Sequence, residues 1–161
     1  MAVHDRSSRR RAGRLPERDR RDRHAGLHLA LGRVGDRWTL LVVQALLAGP
    51  RRFNDLQDEL AGIAPNVLAT RLRQLERDGL VIAAPYSERP VRYTYELTAD
   101  GAALAGALRL LATWGADQAG AAGEAEPVVH QACGSAAEPR WWCPTCERGL
   151  DDDELDDLRW V

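Results

Sequence analysis

Four residues of this 161-residue chain have the types and spacing for soft-metal chemistry: His130, Cys133, Cys143 and Cys146, in the stretch "HQACGSAAEPRWWCPTC", which holds every cysteine of the protein. The pattern is H-x2-C-x9-C-x2-C, two close pairs separated by a short excursion. Zn²⁺ takes tetrahedral nitrogen and sulfur ligands, and His130, Cys133, Cys143 and Cys146 supply a full set with no open position, as in a structural site. Gly134 after Cys133 and the "PTC" tripeptide after Cys143 suit tight turns around a metal, where backbone N–H groups favour thiolates. Two other readings stay open. Cys143 and Cys146 are also a redox or disulfide pair in waiting, since a C-x-x-C can serve as a thiol switch, and the cysteines are otherwise plain surface thiols. The tandem Trp141-Trp142 is expected to cover one side of the site or to rest on the main domain.

A closed ligand set argues against catalysis. The sequence lacks any H-x-E or H-E-x-x-H pattern, Ser-His-Asp arrangement, P-loop or dinucleotide fingerprint, so no enzyme is expected, and a zinc-dependent enzyme is the weakest reading. No run approaches the roughly eighteen apolar residues of a transmembrane helix. The charged N-terminus lacks the apolar core of a secretory signal, which predicts a cytoplasmic protein without a membrane partner. All 22 basic residues are arginine, which reads as coding bias more than chemistry.

The elements that must position this cluster divide the chain by charge. Residues 1–23 carry nine arginines against four acids, residues 24–98 nine against eight, and residues 99–161 four against twelve, so a net charge of -2 conceals a basic arm and an acidic end. The arm, 1–23, has few apolar residues and no helical stripe; it predicts disorder and, at most, non-specific attraction to phosphates. The predicted organisation is this arm, a domain over 24–118, an Ala/Gly-rich linker over 119–127, a zinc-ribbon-like module over 128–150 and an acidic tail over 151–161. That tail is a solvating segment or, through Leu155, Leu158 and Trp160, an anchored competitor of DNA for basic groups.

In the domain, Leu27, Leu31 and Val34 share one side of a first helix, and Thr39 to Leu47 is apolar nearly all round, as a central buried helix would be. Gly49-Pro50 stops it. Asn54 is the expected N-cap of a short helix with Leu56 and Leu60 inward and Gly62 at its end. A further helix starts near Pro65, and its Leu68, Leu72 and Leu75 must face the core. Asn66, Ala69, Thr70, Arg73, Gln74 and Arg77 are left outward or flanking, with Arg71 beside them, an amide, hydroxyl and guanidinium chemistry suited to base edges and phosphates. "LVIAAPY", "SERP" and "VRYTYEL" form a hairpin whose tip carries Arg89 and Arg92. The order predicts a winged helix-turn-helix: mainly α, with a small β-hairpin wing that meets DNA at its backbone or minor groove.

The phrases "GDRWTLL", "GPRRFNDLQ", "RLRQLERDGLV" and "RYTYELTADG" also resemble the HxlR-type transcriptional regulators, relatives of the MarR group, across about ninety residues from Ala25 to Trp114. The resemblance implies a homodimer on a partly palindromic operator, acting most simply as a repressor. It implies DNA contacts from Asn66, Thr70 and Arg71, from Arg89 and Arg92, and phosphate contacts from the block around Arg51 and Arg52. Redox-sensing members carry a cysteine thirteen residues before the tryptophan; counted back from Trp38, that position is Ala25. A thiol switch at that site is therefore excluded, and a metal- or redox-responsive regulator would have to use the C-terminal cluster.

Beyond the wing, Thr98 is the expected N-cap of a helix with Leu104, Leu108, Leu111 and Trp114 on one stripe. A domain this small has few places to hide another long stripe, so these four are expected to pair with Leu27 and Leu31 across a two-fold axis. A small-molecule effector, of unknown identity, would sit between these helices and the domain body.

Overall fold

Three leucines on one face of one helix organise the domain. In the computed structural model, which describes residues 24–120 and 128–158, the helices are α1 (Ala25–Val34), α2 (Arg37–Leu46), α3 (Phe53–Glu59), α4 (Pro65–Arg77), α5 (Ala99–Ala102) and α6 (Ala105–Gln118). The strands of the domain are β1 (Arg51–Arg52), β2 (Val81–Glu88) and β3 (Val91–Leu97). Leu68, Leu72 and Leu75 of α4 are buried against Val42, Val43 and Leu46 of α2 and Leu56 of α3. Spacings of four and three keep those leucines on one face, as the periodicity predicts. Leu80 and Val81 close the core from the start of β2.

The wing is antiparallel, with Val81 opposite Leu97 and Glu88 opposite Val91, and a register shift between Pro85 and Ser87. β1 adds a third strand on the other edge of β3, Arg51 opposite Tyr95, so the sheet order is β1-β3-β2. This is the winged helix-turn-helix expected from the sequence.

Local chemistry sets the helix ends. Asp36 caps α2, its Oδ1 accepting from the N–H groups of Trp38 at 3.0 Å and Thr39 at 3.2 Å. Thr98 caps α5, its Oγ1 accepting from the Gly101 N–H at 3.1 Å, as expected. Two glycines of the family-like phrases are required sterically. A Cβ on Gly35 would stand 2.4 Å from the Leu31 carbonyl oxygen, and one on Gly101 would stand 2.2 Å from that of Leu80. Neither backbone can retreat without dismantling a helix end or the base of the wing.

Three expectations are corrected. Asn54 is not the N-cap of α3: the helix begins at Phe53, which packs on the core, and Asp55 reaches back to the Arg52 N–H at 3.1 Å. The helix after Thr98 is broken into α5 and α6. Leu108 is 7% exposed inside the domain core and Leu104 packs against that core, so neither is a free interface residue. The remaining expected dimer residues, Leu27, Leu31, Leu111 and Trp114, are exposed, as are Leu29 and Leu110.

Two further hairpins follow: β4 (Val128–Val129) with β5 (Ala136–Ala137), and β6 (Trp142–Cys143) with β7 (Arg148–Gly149). A 3-10 turn covers Asp152–Asp157. The basic arm, most of the linker and Trp160 lie outside the described residues. Among the described residues, no helix is long and apolar enough to cross a membrane.

Candidate nucleic-acid interface

With its leucine face buried, α4 turns a polar stripe outward. Asn66, Thr70, Arg73 and Arg77 are all exposed, and their spacing of four, three and four aligns them along one side of the helix. The Thr70 hydroxyl donates to the Asn66 carbonyl at 2.7 Å, leaving its lone pairs and methyl outward. Arg73 Nε donates to the Ala69 carbonyl at 3.0 Å, which fixes the stem while the rest of the guanidinium stays available.

Two neighbours that sequence reasoning placed with the DNA contacts are otherwise engaged. Arg71 is half-buried and reaches 35 positions back in sequence: its Nη2 donates to Asp36 Oδ2 at 3.0 Å, and its Nε lies 2.9 Å from Oδ1. The carboxylate that caps α2 thus also holds α4. Gln74 donates to Asp78 Oδ2 at 2.9 Å and accepts from Arg77 Nη2 at 2.5 Å, closing the end of the helix. Arg33 of α1 donates to the Asp78 carbonyl at 2.5 Å, a second brace on the same end.

The wing flanks this stripe. Arg89 and Arg92 are exposed at its tip. On the β1 edge of its sheet Arg52 lies over the Tyr86 ring, 4.6 Å from the centroid, while Arg51 is 3.5 Å from Glu59. Arg52, Asn54, Tyr86, Arg92, Tyr93 and Tyr95 are among the residues lining a recess of about 470 Å³. A second groove of about 430 Å³ runs between α4 and the wing, lined by Ala69, Leu72, Arg73, Glu76, Ala83, Tyr93 and Tyr95. Burial, then the neighbouring Glu76 carboxylate, push the Tyr95 phenol up from its ordinary value, so it remains a neutral hydrogen-bond donor. Sequence reasoning does not single out these tyrosines; the alternation of Tyr93 and Tyr95 in "RYTYEL" is the signal that both share one strand face.

The Cys/His residues are delivered as two pairs, one per C-terminal hairpin. His130 Nδ1 lies 3.2 Å from Cys133 Sγ, and Cys143 and Cys146 interact through their thiols. Among the described residues, no three His, Cys, Asp or Glu side chains converge as a metal would require. In this structure the four residues therefore stand as two pairs, one on each hairpin. Backbone N–H groups face two of the sulfurs: that of Ser135 lowers the Cys133 thiol, and that of Cys146 lowers the Cys143 thiol. The Cys146 thiol is raised, chiefly by its hydrogen bond to the Cys143 sulfur. Arg148 ties the acidic end to the second hairpin, donating to Glu154 at 2.7 and 2.5 Å and holding that carboxyl down at about 2.

The profile of a family described as HxlR-like helix-turn-helix matches residues 33–122. An uncharacterized HTH-type transcriptional regulator of Mycobacterium tuberculosis is 41% identical over 119 residues, 73% of this chain and 74% of that protein. Among solved structures, a transcriptional regulator of the MarR family from Enterococcus faecalis superposes with a TM-score of 0.52 at 34% identity, covering 69% of this chain and 96% of that one. The reduced form of the regulator YodB from Bacillus subtilis gives 0.50 at 33% identity, covering 58% and 90%. The matched profile ends before the Cys/His pairs begin.

Proposed function

Since this chain belongs to the HxlR-like helix-turn-helix family of transcriptional regulators, we propose that it binds a partly palindromic operator as a homodimer and represses by occupying it. α4 enters the major groove, where Asn66, Thr70 and Arg73 meet base edges or phosphates. Arg89 and Arg92 of the wing, with Arg52 on the neighbouring strand β1, take the backbone. Arg71, Gln74 and Arg51 act by positioning, because their polar groups are engaged within the protein. The role is one of binding rather than catalysis, in the cytoplasm where operator DNA is found. The observation that carries this reading is the exposed polar stripe of α4 beside an arginine-tipped wing, backed by a fully buried leucine face.

The test uses DNA fragments that the protein selects from a genomic pool. Arg73→Ala is expected to weaken binding by about 1–3 kcal/mol if the side chain reads a base, or to flatten the salt dependence by about one unit of slope if it holds a phosphate. Arg71→Ala is expected to weaken binding as well, accompanied by a lower thermal transition that Arg73→Ala does not show. Affinity unchanged at low salt in Arg73→Ala and Thr70→Ala variants would contradict the assignment.

A second reading is favoured by the exposure of Cys133 and Cys146: a regulator whose DNA affinity answers to metal or oxidant through the C-terminal pairs. Ala25 leaves these pairs as the thiol route.

A further inference from the structure

The two C-terminal hairpins are built to one plan. In the first, Val128 pairs with Ala137 and Val129 with Ala136, and the His130 N–H donates to the Ser135 carbonyl at 2.8 Å, so His130 and Ser135 are the next partners in the ladder. In the second, Trp142 pairs with Gly149 and Cys143 with Arg148, and the ladder extends outward through the Leu150 N–H to the Trp141 carbonyl at 2.8 Å. His130 and Cys143 thus hold the same position, the last paired residue before a four-residue loop. Cys133 and Cys146 each stand third in that loop. The fourth loop residue is left-handed in both, Gly134 at φ 71° and Glu147 at φ 52°.

The last coincidence is the most telling. Glu147 is the one non-glycine residue with left-handed backbone among the described residues, and such a conformation in a glutamate is uncommon unless its surroundings impose it. Its counterpart is a glycine, the residue that adopts this turn freely. Such a turn bends the chain back so that the first residue of the pair and the third loop residue face the same point, with backbone N–H groups beside the sulfurs.

Among the described residues, no buried apolar side chain accounts for the order of this segment. Among the described residues from 128 to 158, no residue is buried, and Val128, Val129, Trp141 and Trp142 are all exposed. A segment without a core needs another cross-link to fold, and a bound metal is a common one.

We infer that the two hairpins are the halves of one Cys3His site, in which His130 and Cys133 from the first loop and Cys143 and Cys146 from the second close together on a single tetrahedral thiophilic divalent cation of the Zn²⁺ class. Three thiolates and an imidazole select such an ion over Mg²⁺ or Ca²⁺, which take oxygen ligands. Four protein ligands leave no place for substrate, so the site is a clip. Its residues lie beyond the segment matched by the family profile, so the clip is an addition to the regulator fold.

The full chain, stripped of metal under reducing conditions, is titrated with Co²⁺ in the absence of oxygen. The expected result is one Co²⁺ per chain with the intense d–d bands of tetrahedral coordination and a thiolate-to-metal charge-transfer band, all displaced by an equivalent of Zn²⁺. His130→Ala and Cys133→Ser, made separately, should each weaken Co²⁺ binding at least about tenfold. His130→Cys should retain tetrahedral binding with a stronger charge-transfer band, which distinguishes ligand loss from misfolding. Three observations would each overturn the inference: an octahedral spectrum, no uptake by a chain whose three thiols remain free and reduced, or tetrahedral binding indifferent to His130→Ala and Cys133→Ser. The last would assign the metal to Cys143 and Cys146 with ligands from a second chain.

Discussion

Trp114→Asp is expected to break the proposed homodimer into monomers and to lower its affinity for a two-half-site operator by about 10²–10⁴-fold, the advantage that linking two binding modules confers. The reason lies in which side of α6 the domain leaves bare. Leu108 is 7% exposed and belongs to the core, whereas Leu111 is 55% and Trp114 65% exposed, so the helix keeps one apolar face for its own domain and offers another. α1 repeats the pattern: Val34 is buried while Leu27, Leu29 and Leu31 are not. Apolar faces of this extent on a small domain mark an interaction surface. Burying one such side chain is worth about 1.5–3 kcal/mol, and a carboxylate at its centre adds a desolvation cost. Sedimentation equilibrium reads the assembly and fluorescence anisotropy reads the DNA affinity. A dimer that survives Trp114→Asp with full affinity would place the interface elsewhere.

The second large effect is on stability. Leu68→Ala is expected to cost about 2–5 kcal/mol, from lost burial and the cavity left between α4 and α2. Leu68 is fully buried, and a domain of this size has only about 5–15 kcal/mol in hand. Urea denaturation should show a lower midpoint at unchanged slope, meaning the same fold with less stability. Thr70→Ala, two positions on and exposed, should stay within about 0.5 kcal/mol of the parent while losing DNA affinity. The pair separates the two faces of one helix: the leucine face holds α4 in place, and the polar face is the one proposed to contact DNA. Equal stability losses in the two variants would contradict that division.

The leucine stripe of α4, the hairpin, the Thr98 cap and the core position of α2 are legible because each is a local pattern of spacing or cap chemistry, although α2 keeps Leu41 and Gln44 exposed. What the sequence does not disclose depends on distant partners. Arg71 looks like an outward arginine until Asp36 is seen to engage it from the start of α2. Gln74 likewise looks free until Asp78 and Arg77 claim its amide. On α6, Leu104, Leu108, Leu111 and Trp114 make one stripe in sequence, and periodicity cannot say which part of it the domain covers and which part waits for a partner. The reverse holds at Glu147, whose left-handed backbone no composition rule suggests and which makes the second hairpin match the first. Tyr93 and Tyr95 are an intermediate case: their alternation predicts a shared face, and only the fold puts that face beside Arg73.

The proposed homodimer presents two copies of α4 together to duplex DNA. Hydroxyl-radical footprinting of the full chain on a selected genomic fragment tests it most directly. Two protected patches related by two-fold symmetry are predicted, centred about one helical turn apart, roughly 34 Å, with a flanking protection from each wing. A single protected patch, or uniform protection without sequence preference at physiological salt, would contradict it.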